Sequence, residues 1–123
     1  ASYGTYPLSV SRNGSITGYY YDAAYVAHGF VRDGQGVVAT IDIPGARGTF
    51  AQSINRAGVI VGWYRDASYN AHGFVRNQRA TITSFDFPGT NTYTVAICVN
   101  EEGAITGQYV AGDSVRGFVL SER

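Results

Sequence analysis

Apolar and polar residues alternate along this chain in short runs with a two-residue period, the signature of half-buried strands rather than helices. Across residues 59–65, Ile60, Gly62 and Tyr64 fall on one face. Ile16, Gly18 and Tyr20 repeat the arrangement, as do Ile105, Gly107 and Tyr109. A face that recurs almost unchanged is expected to pack on an identical neighbour, with the glycine admitting a backbone or a ring. The opposite face carries Tyr19, Trp63 and Gln108, which differ from copy to copy and so need not fill one repeating shape.

The runs themselves recur. Residues 9–20 return as 53–64 and again as 98–109, and Gly14, Gly58 and Gly103 set the period at 44 and then 45 residues. Such a period marks units that cannot bury their apolar faces alone and must stack on neighbours. The second unit predicts four strands, over residues 49–54, 59–65, 72–76 and 80–87. Asn55-Arg56-Ala57-Gly58 is the first turn and residues 66–71 are a loop. Pro88-Gly89 forms a corner, because proline lacks a ladder donor and glycine permits the tight turn. Repeat one covers about residues 4–46, repeat two 47–90 and repeat three 91–123, within one domain spanning 1–123. Tyr3-Gly4-Thr5 aligns with Arg47-Gly48-Thr49, just past a Pro-Gly corner. Repeat three ends on Arg116-Gly117-Phe118-Val119-Leu120 without a counterpart of Ser84-Phe85-Asp86-Phe87, so eleven strands are expected where three full repeats would give twelve.

Three motifs carry a resemblance over the whole chain. They are Ile54-Asn55-x-x-Gly58-x-Ile60-x-Gly62-x-Tyr64, then His72-Gly73-Phe74-Val75-Arg76, then Phe85-Asp86-Phe87-Pro88-Gly89. The chain resembles the bacterial extracellular repeat proteins of the HAF family, named for a His-Ala-Phe signature that here reads His28-Gly29-Phe30 and His72-Gly73-Phe74. The resemblance implies an exported, extracellular protein. Repeat three departs from the signature, with Arg116 in place of histidine.

A four-stranded meander of about 40–45 residues is the size of a β-propeller blade. The expected fold is therefore all-β, built of three antiparallel blade repeats. Propellers close with typically about four to eight blades. Three leave two blade faces bare, so the expectation is either a second copy completing a six-bladed ring as a homo-oligomer, most simply a dimer, or a chain that is a fragment of a longer array. A β-trefoil is the alternative, since it also holds three four-stranded repeats and would close alone.

Composition narrows the partners. Nine arginines balance nine carboxylates, so the chain has no basic surplus with which to track nucleic acid. No apolar run approaches the ~20 residues of a membrane span. Cys98 stands alone where the other repeats carry Ser9 and Ser53, and reads as a small buried residue. No zinc spacing, phosphate-cradling loop, nucleophile elbow or calcium loop occurs, so neither a metal nor an organic cofactor is expected.

Two residue sets carry candidate chemistry. His28 and His72, each with Asp22 or Asp66 six residues upstream, are the catalytic candidates of a hydrolase whose site would lie at the propeller mouth or an intersubunit seam. The replacement of histidine by Arg116 in repeat three favours a loop-clamping donor instead, because arginine is always charged and cannot serve as a base. Asp42 and Asp86 are expected to bond backbone amides at the corners. Tyr19, Tyr21, Trp63 and Arg65, with Tyr25 and Tyr69 in the following loops, form the ligand-binding candidates. Aromatic platforms beside planar donors suit a sugar ring, and suit an interblade contact equally. The residues point to a binding or scaffolding module with a glycan as the candidate ligand, and the resemblance implies that it is extracellular. A hydrolase and a purely structural self-assembling protein are its alternatives.

Overall fold

The computed structural model describes residues 4–88 and 92–121, so Tyr3 and Gly89 lie outside the described residues. Among the described residues, eleven strands form three antiparallel meanders. The first sheet holds β1 (Thr5–Val10), β2 (Ile16–Tyr21), β3 (Ala27–Arg32) and β4 (Val38–Ile41) in that order. The second holds β5 (Gly48–Ile54), β6 (Ile60–Arg65), β7 (Ala71–Arg76) and β8 (Ile82–Phe85). The third holds β9 (Thr94–Val99), β10 (Ile105–Ala111) and β11 (Ser114–Leu120). The chain is all-β, as its alternation requires.

One turn design serves nearly every hairpin. An Asp or Asn opens a five-residue turn, and its side-chain oxygen accepts from the amides two and four residues on. Asp22 does so for Ala24 and Val26, Asp66 for Ser68 and Asn70, Asp33 for Gln35 and Val37, and Asn77 for Arg79 and Thr81. The fourth residue is left-handed in these turns and in those that Ser11, Asn55 and Asn100 open: Gly14, Tyr25, Gly36, Gly58, Tyr69, Ala80 and Gly103 have φ between +61° and +92°. Ala80 therefore belongs to a turn, and β8 is shorter at both ends than the alternation at 80–87 predicts.

The recurring strand glycine has a steric cause. Opposite it, the first strand of each sheet carries a bulge, between Pro7 and Ser9, Ala51 and Ser53, and Ala96 and Cys98. The bulge turns a carbonyl inward. A methyl group on Gly18, Gly62 or Gly107 would lie 2.1, 2.1 or 2.0 Å from the carbonyl oxygen of Tyr6, Phe50 or Val95. The close backbone is thus the neighbouring strand of the same sheet.

The sheets stack in series. β5 lies over β1–β3, and β9 over β5–β7. Between the first two sheets, Ile41, Ala51, Ile54, Ile60 and Phe74 form a buried cluster flanked by Val31, Ile43 and Tyr64. Between the second and third, Val61, Ala96, Val99, Ile105 and Phe118 do the same, flanked by Val75, Phe85 and Phe87. Each sheet therefore presents its Ile-Gly-Tyr face backward and its opposite face forward. The opposite face is packed as well: Thr17 and Val61 are fully buried.

Hydrogen bonds repeat across the junctions at the same spacing. The Ile54 amide donates to Ser9 Oγ at 3.2 Å, and the Val99 amide to Ser53 Oγ at 3.1 Å. Asn55 Nδ2 donates to the Asn100 carbonyl, and the Arg56 amide to Glu101 Oε1. Cys98, expected to be buried, is exposed. It occupies the Ser9 and Ser53 position on the forward face of the third sheet, on which no further sheet lies among the described residues.

Candidate functional site

Two identical Asp–His–Asp clusters stand on β3 and β7, one per sheet. In the first, Asp22 uses Oδ1 to hold its own turn and Oδ2 to accept from His28 Nε2 at 2.7 Å. His28 Nδ1 donates to Asp42 Oδ1, also at 2.7 Å, and the ring stacks on Tyr20 with centroids 5.2 Å apart. In the second, His72 Nε2 donates to Asp66 Oδ2 at 2.7 Å and Nδ1 to Asp86 Oδ1 at 2.5 Å, with Tyr64 against the ring. Asp42 and Asp86 thus meet an imidazole, where backbone amides were expected. Each lies one residue past its strand, next to the Ile41 or Phe85 that pairs with Gly29 or Gly73, and so comes beside the histidine.

Carboxylates at neutral pH only accept, so a ring bonded at both nitrogens is the doubly protonated imidazolium. The hydrogen bond to Asp22 raises the pKa of His28, against burial, with Asp42 adding to the rise. Burial alone would lower that of His72, but the bonds to Asp66 and Asp86 outweigh it and the net direction is up. The histidine bonds hold Asp22 and Asp66 below the ordinary carboxylate value, helped by the turn amides. With both nitrogens occupied, neither ring is placed to take a proton from a substrate or to ligate a metal. Among the described residues no group of three His, Cys, Asp or Glu side chains is arranged to hold a metal ion. The cluster pins the turn after β2 and the end of β4 to β3. In the third sheet Arg116 pairs with Tyr109 across the strands, and a tight turn, Ala111 to Ser114, replaces the longer loop, so the clamp has no counterpart there.

The four aromatic and arginine candidates converge. Tyr6, Tyr19 and Tyr21 form a triad, Tyr6 stacked on Tyr19 at 5.2 Å and Tyr21 edge-on to both. Tyr19 meets Phe50 of the second sheet edge-on at 5.0 Å, and Phe50 stacks on Trp63 at 4.1 Å with the planes only 14° apart. The Arg65 guanidinium caps the Trp63 ring at 5.1 Å while donating to the Tyr69 carbonyl. One row thus runs Tyr21–Tyr6–Tyr19–Phe50–Trp63–Arg65 across two sheets. Burial, with the phenols of Tyr21 and Tyr6 adding to it, raises the pKa of Tyr19. Tyr6 at the outer end is 45% exposed, so the row is accessible. Tyr69 lies beside the row, its ring under Arg47 and its hydroxyl accepting from the Arg47 Nη1.

Tyr6 and Phe50 are members that strand-two reasoning missed. They are the cross-strand partners of Tyr19 and Trp63, 44 residues apart, and the repeat register would have located them. In the third sheet the same register holds Val95 and Gln108, and the row stops.

The described residues contain no helix long and apolar enough to cross a membrane. In comparisons with known proteins the chain matches no family model, no curated protein and no solved structure.

Proposed function

We propose that the chain is an extracellular binding module of propeller-blade type, which scaffolds through association with a second copy and takes a carbohydrate on its aromatic row. The observation that carries the ligand reading is the continuous Tyr6–Tyr19–Phe50–Trp63–Arg65 row. The partly exposed rings of the row offer apolar surface to a sugar, and a guanidinium preset on Trp63 supplies planar donors to its hydroxyls. Series stacking of meanders, with β5 and β9 each laid across the sheet before, supports blades over a trefoil. The resemblance to extracellular repeats supports export. The hydrolase alternative loses ground because its two histidines are engaged at both nitrogens within their own sheets.

A glycan array followed by titration calorimetry tests the reading. Trp63→Ala is expected to weaken binding at least about tenfold, the equivalent of ~1.4 kcal/mol. Tyr6→Ala, at the exposed end, checks the result without opening the Phe50 stack. Wild-type binding unchanged in both variants, or hydrolysis of a panel substrate lost in His72→Gln, would replace this reading.

A further inference from the structure

The chain carries two unlike bare faces, and its own interior shows how they fit. On the back of the first sheet, Val10 is 67% exposed, whereas its repeat counterpart Ile54 is 6% exposed beneath the sheet before it. A groove of about 280 Å³ runs there, lined by Pro7, Leu8, Ser9, Val10 and Ile16. On the front of the third sheet, Val119 is 70% exposed, whereas its counterparts Val31 and Val75 pack into the two inter-sheet cores. Thr106 is exposed beside it, where Thr17 and Val61 are fully buried.

We infer that the front face of the third sheet docks onto the back face of the first sheet of a second copy, in the register that joins sheet to sheet within the chain. The inference rests on the blade reading above and assigns its contacts. Each molecule holds one face of each kind, so the contact is head-to-tail and two copies can satisfy both faces. Val119 seats against Val10 and Ile16 of the second copy. Cys98 takes the place of Ser9 and Ser53 in the junction ladder, its sulfur meeting the Val10 amide as Ser53 Oγ meets the Val99 amide. The turns stack as well: within the chain the Arg56 amide donates to Glu101 Oε1, and the same step lays the Glu101 turn against the Arg12 turn of the second copy.

Sedimentation of the wild type, Val10→Arg, Val119→Arg and an equimolar mixture of the two variants tests this contact. Both substituted side chains are exposed in the single chain, and circular dichroism verifies that each variant folds. The wild type is expected to associate, and each variant alone to run as a single chain. The mixture is expected to form a heterodimer, because one junction between unlike variants remains intact. Cys98 alkylation by iodoacetamide is expected to slow at least tenfold in the associated wild type relative to either variant. A wild type that stays a single chain at all concentrations, as it would if these faces serve another partner, overturns the inference. So does association that survives Val119→Arg, or a mixture that fails to pair. Glycan binding is read on the same variants separately, so the ligand reading and this contact can fail independently.

Discussion

A methyl group on Gly62 would stand 2.1 Å from the carbonyl oxygen of Phe50, well inside van der Waals contact. The obstacle is the backbone of β5 at its bulge, which cannot swing aside as a side chain would. Gly62→Ala is therefore expected to cost about 3 kcal/mol or more, at the upper end of overpacking substitutions. Gly58→Ala faces open space and only an unfavourable φ of +91°, so a penalty of about 1–2 kcal/mol is expected. Urea denaturation of the two variants measures the difference. Equal penalties would mean that the bulge yields.

Acid and base should both weaken the clamps, each through a different partner. The histidine pKa values are raised above the ordinary 6.5, so their contribution is complete below that value and is lost as pH rises through the folded-state values. The Asp22 and Asp66 values are lowered below 3.8, so their contribution is complete above it and is lost as pH falls through the folded-state values. The denaturation midpoint is expected to peak in mildly acidic solution and decline on the alkaline side of pH 6.5. In His28→Gln/His72→Gln that alkaline decline should vanish; a slope of wild-type size would show that the clamps are not its source.

Ala80 sits at φ +67° on an exposed turn, the one position of this turn design filled by neither glycine nor tyrosine. Ala80→Gly, ordinarily destabilising, is expected to raise stability by up to about 1 kcal/mol here by relieving the left-handed strain. Thermal denaturation reads the sign directly. A lowered midpoint would mean that the added freedom of the unfolded chain outweighs the relief.

Much of this arrangement was legible in the residues. The period that links Gly14, Gly58 and Gly103 yields three equivalent sheets, and the strand-two alternation yields the face that packs backward. Burial at the ends was not legible, because Val10 and Cys98 occupy positions whose counterparts Ile54 and Ser53 are covered only by virtue of being in the middle. The sequence repeats a position; the stack decides its environment. The site followed the same division. Tyr19, Tyr21, Trp63 and Arg65 were visible as a face of one strand, whereas Tyr6 and Phe50 enter through pairing across strands. Asp42 and Asp86 looked like corner residues, since nothing within the Ile-Asp-Ile or Phe-Asp-Phe segments reveals an imidazole fourteen positions upstream.

The five-residue turns have a kinetic consequence. Most are specified by an Asp or Asn and the amides two and four residues on, so each such hairpin can set its register before any sheet has found its neighbour. Loop closure over so short a span is fast and costs little entropy. Formation can then begin in any of the three sheets and spread outward, as in linear repeat arrays, with the sheet that has neighbours on both sides held most firmly. Native-state hydrogen exchange on the dilute single chain should find the slowest amides in β6 and β7, and the first openings in β1 and β11. The molecule would unravel from its two ends like a short stack of cards, keeping its centre until last.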